Sequence, residues 1–163
     1  MKISCSINNV ETLIEAEADE RLLTTLRRLG YISVKNGCIQ GKCGTCTILL
    51  DDLPVPSCLL YTGSIQNNSI ITLEYFVKTS DYDDISKAFS QTGIKLCGFC
   101  NAGKYFSAYD IIKKNDRPQK EEIENRVSHL LCKCVDNESL VNAILLASKI
   151  RSKRLGGIAH GKR

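Results

Sequence analysis

Nine cysteines stand in 163 residues, and eight of them fall into two sets of four. The first set runs through GCIQGKCGTC, where Cys38, Cys43 and Cys46 follow a C-x4-C-x2-C spacing, and it closes with Cys58 in VPSC. The second opens with C-G-F-C at Cys97 and Cys100 and closes with C-K-C at Cys132 and Cys134. Thiols so spaced can pair as disulfides, grip a zinc ion or cage a larger metal group. The stretch MKISCSINNV lacks the apolar core of a signal peptide. A cytoplasmic setting is therefore expected, and there thiols stay reduced. Metal binding or redox chemistry outranks a disulfide framework on that ground.

Three ligands on one wrapped loop with a fourth standing apart is the plant-type 2Fe–2S arrangement. Zinc more often takes two C-x2-C-like hooks. A cluster held by four thiolates is net negative, and backbone N–H groups of a tight loop can donate to its sulfurs where side chains would crowd it. Gly37, Gly41 and Gly44 give the loop that freedom, including at positive φ. Lys42 adds a positive charge at the rim. The first set reads as a 2Fe–2S site. The second is open at this level. A C-x-C pair cannot aim both thiols at one centre from a regular strand or helix, so Cys132 and Cys134 must lie in a turn. If the two hooks meet, their four thiolates could hold zinc or a second cluster. Neither histidine competes: His129 reads as a helix-face residue and His160 lies in the tail.

The elements that must position these loops change character along the chain. Lys2–Ile7 and Val10–Ala16 alternate as strands around the turn-prone pair Asn8-Asn9. Asp19 or Glu20 opens a helix with Leu22, Leu23, Leu26 and Leu29 on one side, ended by Gly30. Thr47–Leu50 is a strand, Asp51-Asp52 a turn and Ile70–Tyr75 another strand. Residues 1–76 thus form a small β-grasp-like unit, and 77–84 a linker with KTSDYDD at its centre. Over 85–155 the period is helical. Four stripes, around Ile85, Tyr105, Ile123 and Leu140, predict four helices of roughly ten to sixteen residues. Pro118 suits a first turn, and Asp136 or Asn137 suits a cap.

Composition excludes several classes. Hydrophobic residues make up 43% and charged residues 25%, which is ordinary for a soluble chain. No run approaches the roughly eighteen apolar residues of a membrane span, so no membrane partner is expected. The net charge of +4 is concentrated at the end: Lys149, Arg151, Lys153, Arg154, Lys162 and Arg163 meet no acidic residue. Setting these six aside from the 22 leaves 16 basic residues against 18 acidic ones. The charge is a solvated tail, with 156–163 as a basic end, and not a nucleic-acid surface. Cys5, left over from the two sets, reads as a small strand residue facing the core.

Together LLTTLRRLG, NGCIQGKCGTCTILL, VPSCLL, CGFC and LLCKC, in this order, resemble the iron–sulfur (2Fe–2S) small subunit of the xanthine dehydrogenase, or molybdenum hydroxylase, family. The resemblance runs from the first strand to about Arg154. It implies an α+β chain, in which an N-terminal β-grasp (plant-type 2Fe–2S ferredoxin-like) domain precedes a C-terminal four-helix 2Fe–2S-binding domain. Carried over by position, Cys38, Cys43, Cys46 and Cys58 hold the first 2Fe–2S cluster. Cys97, Cys100, Cys132 and Cys134 hold the second. The implied role is electron transfer, from a molybdopterin-binding large subunit to an FAD-binding subunit of a hetero-oligomeric oxidoreductase, with no catalytic residue on this chain. The departures lie around the second set. Lys95-Leu96 stand where the family carries a pterin-contacting glutamine, and Asn101-Ala102-Gly103 where it prefers Thr-Pro-Gly. Lys133 and Val135-Asp136-Asn137 replace Arg and Thr-Gly-Tyr. These departures support a rival reading, a stand-alone two-cluster electron carrier or redox sensor without a molybdenum partner. A zinc-stabilised module is a third.

Overall fold

The computed structural model describes residues 1–130 and 134–160, with the backbone alone for 158–160. Strands β1 (Lys2–Ile7) and β2 (Val10–Glu15) pair antiparallel from Lys2 opposite Glu15 to Ile7 opposite Val10. Asn8 and Asn9 make the turn at φ 53° and 65°, a left-handed pair that asparagine tolerates. With β3 (Thr47–Leu50), β4 (Leu53–Pro56) and β5 (Ser69–Ile71), the sheet has the order β2-β1-β5-β3-β4, and its β1–β5 pairing is parallel. Helix α1 (Leu22–Arg28) presses Leu22, Leu23 and Leu26 onto one face, against Ile3, Cys5, Ile7, Ile14, Ile48 and Ile70. Cys5 is almost wholly buried there, and burial pushes its thiol up from the ordinary value.

One strand of this unit lies outside the sequence expectation, and another is shorter than expected. Strand β4 is LPVP, whose prolines argue against a strand; it is tolerated because β4 is the sheet edge, where a missing N–H breaks no second ladder. The strand expected over Ile70–Tyr75 ends at Ile71. Thr72 spends its N–H on Asn8 Oδ1 at 2.9 Å, and Leu73–Phe76 winds into the short helix α2. Glu74 of α2 then accepts from Ser33 N at 2.7 Å and Ser33 Oγ at 2.5 Å. Burial alone would raise the Glu74 carboxyl, but the bonds from Ser33 and Thr72 outweigh it and hold it below the usual carboxylate range.

Four further helices follow: α3 (Ser80–Gln91), α4 (Asn101–Lys114), α5 (Lys120–Val127) and α6 (Asn137–His160). Their shared core includes Ile85, Phe89, Phe106, Ile112, Ile123, Val141 and Ile144. Strand β3 joins the two units. Ile48 points into the α1 core and Leu49 into the helical one, so β3 is covered on both faces. Tyr109 Oη of α4 donates to Asp52 Oδ1 at 2.8 Å across the same seam, and Lys113 pairs with Asp52.

The expected linker and the expected tail turn out to be partners. Helix α3 starts at Ser80, with Thr79 Oγ1 accepting from Tyr82 N at 3.2 Å as its cap, so only Val77–Thr79 separates α2 from α3. Helix α6 runs on to His160 through Gly156 and Gly157, far beyond the expected length. Arg154 Nε bonds Asp84 Oδ2 at 2.7 Å, and its Nη2 bonds Asp81 Oδ1 at 2.8 Å; Arg151 Nε reaches the same Asp81 oxygen at 2.9 Å. Acidic and basic runs that each looked solvated neutralise one another across the bundle. Asp84 retains only 8% side-chain exposure, so Arg154→Ala leaves a buried carboxylate short of its cation. The expected loss is about 1–3 kcal/mol, a fall in melting temperature of about 2–4 °C per kcal/mol for this size. Thermal unfolding followed by circular dichroism measures it. An unchanged midpoint would return this end of the chain to a solvated tail. No described helix is long and apolar enough to cross a membrane.

Candidate metal centres

The first cysteine loop leaves α1 at Gly30 and returns to the sheet at β3, with both ends tied down. Lys35 N donates to Thr45 O at 3.1 Å, and the buried Thr45 hydroxyl donates to Lys35 O at 3.1 Å. Inside this closure the backbone turns its N–H groups onto sulfur. Gln40 N, Lys42 N and Cys43 N lie 3.4, 3.4 and 3.3 Å from Cys38 Sγ, and Cys38 N lies 3.4 Å from Cys43 Sγ. Led by the Gln40 N–H, these donors hold the Cys38 thiol down to about 6. Gly41 and Gly44 take φ of 73° and 74°, as the inward turn requires. At Gly37 the reason is space. A Cβ there would stand 2.8 Å from Cys43 Sγ and 2.6 Å from Thr45 Oγ1.

Cys46 and Cys58 form the deeper half of this site. Both are buried, and the Cys58 thiol lies near enough to Cys46 to influence its ionisation. Burial, above all, pushes the Cys46 thiol up to about 11, so this thiol would give up its proton to a bound metal far more readily than to bulk water. The four cysteines therefore fall into two neighbouring pairs, Cys38 with Cys43 and Cys46 with Cys58. Two pairs suit a two-iron group, in which each iron takes two protein thiolates. Amide donors aimed at sulfur and a glycine that keeps Cβ away from it suit such a group as well.

The second set assembles at the N-terminal end of α4. Sγ atoms of Cys97, Cys100 and Cys134 lie within 4.8 Å of one another, two of these residues exposed and Cys100 buried. Cys132 lies outside the described residues. Gly98 at φ 78° lets the C-G-F-C hook turn, and the N–H groups of Phe99, first, and Cys100 lower the Cys97 thiol from its ordinary value. Opposite, Asp136 caps α6 by accepting from Ser139 N at 2.8 Å, which brings Cys134 to the hook. Three thiols at this separation fit zinc as well as iron, so geometry leaves that choice open.

The two sites meet through their backbones. Gly103, in the first turn of α4, packs on Gly44 of the first loop so closely that a Cβ would stand 2.8 Å from Gly44 Cα and 2.9 Å from Gly44 O. Lys35 Nζ donates to Gly98 O, another tie between the loops. Sequence reasoning missed Thr45, Lys35 and Lys104. Lys104 is 2% exposed, and its Nζ lies 3.2 Å from Cys100 Sγ. The available signal for it was the four-residue spacing, which puts Cys100 and Lys104 on one side of a helix. Leu96, where the resemblance sets a glutamine, packs half-buried against the helical core.

Comparison with known proteins separates iron from zinc. Residues 5–64 match the family model described as 2Fe-2S iron-sulfur cluster binding domain, and residues 72–145 match the one described as 2Fe-2S binding domain. The nicotinate dehydrogenase small FeS subunit of Eubacterium barkeri is 35% identical over 133 residues, covering 81% of this chain and 85% of that one. The xanthine dehydrogenase iron-sulfur-binding subunit of Escherichia coli O157:H7 is 31% identical over 151 residues, covering 91% and 95%. Among solved structures, quinoline 2-oxidoreductase from Pseudomonas putida 86 superposes with a TM-score of 0.82 at 33% identity, over 93% of this chain and 96% of that chain.

Proposed function

The chain belongs to the iron–sulfur small subunits of the xanthine dehydrogenase-like molybdenum hydroxylases, and on that premise we infer which of its residues carry electrons and between which partners. Cys38, Cys43, Cys46 and Cys58 hold one 2Fe–2S cluster, and Cys97, Cys100, Cys132 and Cys134 the other. Each cluster, when bound, takes up and releases one electron. The observation that carries the reading is the pair of thiol cradles abutting at Gly44 and Gly103. The chain's own contribution is the setting. Amides of Gln40, Lys42 and Cys43 donate to sulfur and favour its anionic form, and Thr45 and Lys35 keep the loop closed. Burial of Cys46, Cys58 and Cys100 keeps water away from that side of each site. No proton or substrate is handled here.

In this reading the chain is a subunit of a hetero-oligomer. It receives electrons from a molybdopterin-bearing large subunit at the helical end and passes them, from the first loop, to an FAD-bearing subunit. Residues 1–76 make the ferredoxin-like unit and the helices beyond Thr79 the other. Iron and acid-labile sulfide analysis of the purified chain tests the two-cluster assignment. About four irons per chain and visible absorption are expected; a colourless, folded, iron-free protein after anaerobic reconstitution would end it. A second reading, a stand-alone carrier, draws on the packing of Leu96 into the helical core. Co-purification with a large molybdenum-bearing chain decides between the two.

A further inference from the structure

Lys104 is the one charged side chain that this fold buries at the second cysteine site among the described residues. It lies in the first turns of α4, only 2% exposed, amid Ala102, Gly103, Tyr105 and Phe106, all of them buried. Its Nζ comes within 3.2 Å of Cys100 Sγ, four residues back along the helix, and Cys100 is itself buried. A lysine this deep is sustained by a negative partner, and the geometry points it at sulfur.

We propose that Lys104 is a potential-setting residue for the helical-unit 2Fe–2S centre: its ammonium, hydrogen-bonded to the Cys100 ligand sulfur, favours the reduced state and holds the extra electron at this station. The inference rests on the two-cluster reading above. Reduction adds one negative charge to a group that is already net negative, so a fixed cation in hydrogen-bond contact with a ligand sulfur stabilises the reduced form more than the oxidised one. Hydrogen bonds to sulfur, net charge and burial are the levers by which a protein tunes such a centre, and Lys104 applies the first two from a position that has the third. The first loop uses neutral backbone amides for the same task. The two stations are therefore built unequal: among the described residues a buried cation lies in hydrogen-bond contact with a ligand sulfur at the second, whereas Lys42 at the first brings its backbone N–H, not its ammonium, to sulfur.

The test compares the full-length chain with Lys104→Met and Lys104→Arg, each carrying both clusters. Redox titration is followed by electron paramagnetic resonance, which reports the two centres separately. Lys104→Met should lower the midpoint potential of the second centre and leave that of the first unchanged. The electron's equilibrium between the stations should move toward the first by about tenfold, or about 59 mV for a one-electron couple. Lys104→Arg, which keeps the charge, should restore most of the difference. An unshifted second centre in Lys104→Met, an equal shift of both centres, or an arginine variant that behaves like methionine would overturn the proposal. Should Lys104→Met fail to hold iron, Lys104→Gln, a neutral donor of similar reach, gives the same comparison. Wild-type chain with two irons instead of four would bring down the cluster reading itself, an outcome distinct from four irons with unmoved potentials.

Discussion

Cys43→Ser is expected to abolish the signal of one 2Fe–2S centre while the other persists, and bound iron should fall from about four to about two per chain. The reason lies in how much of the first loop is built around this sulfur. Cys38 N points at Cys43 Sγ, Thr45 Oγ1 is 3.1 Å from it, and Gly37 lacks a Cβ where one would collide with it. Serine keeps the shape but offers a hard, weakly acidic oxygen in place of a soft thiolate. The second site uses other ligands on other elements, so its signal should survive. Cys5→Ser is the matched control, because Cys5 stands on β1, outside both cysteine sets, and is buried in the α1 core, and both signals should remain. Two intact signals in Cys43→Ser would refute the assignment.

The second large effect is at the seam. Gly103→Val should lower the melting temperature, because its Cβ would stand 2.8 Å from Gly44 Cα and 2.9 Å from Gly44 O. Both are backbone atoms, which cannot rotate away as a flexible side-chain end can. Overpacking of this kind costs about 1–3 kcal/mol, and valine recovers little of the helix propensity that glycine forgoes. At about 2–4 °C per kcal/mol, circular dichroism resolves the shift. Gly157→Ala on α6 sets the scale in the other direction. That glycine has nothing within 4 Å of a built Cβ, so alanine should gain up to about 1 kcal/mol of helix propensity. A Gly103→Val chain as stable as wild type would show that the loops are not held in contact.

Which parts of this molecule can be read from residues alone follows from the range of the interactions involved. The hairpin at Asn8-Asn9, the helix ended by Gly30 and the apolar stripes of α3 to α6 are local patterns, and each stands in the structure, although α1 opens only at Leu22, past Asp19 and Glu20, and α5 spans eight residues that begin beyond Pro118. The first cysteine set is nearly as local, since C-x4-C-x2-C and its glycines lie within one loop. What escaped depends on residues distant in sequence. Asp81 and Asp84 look like a linker's charges until Arg151 and Arg154, 70 residues on, fold back against them. Strand β4 carries two prolines that become acceptable only once it is known to be an edge. Lys104 reads as a surface lysine until the helix around it is seen to be buried on every side. Gly103 carries no sign in its own neighbourhood that Gly44 will lie against it.

Strand β3 has a consequence for the molecule's modularity. Because Leu49 belongs to the helical core and Ile48 to the sheet's own, the two halves share a wall and are not beads on a string. Excised at the junction, the N-terminal half would carry a bare apolar strip on the outer side of its sheet, and the C-terminal half a matching hollow. Neither half is a portable cassette: the wiring comes as one casting.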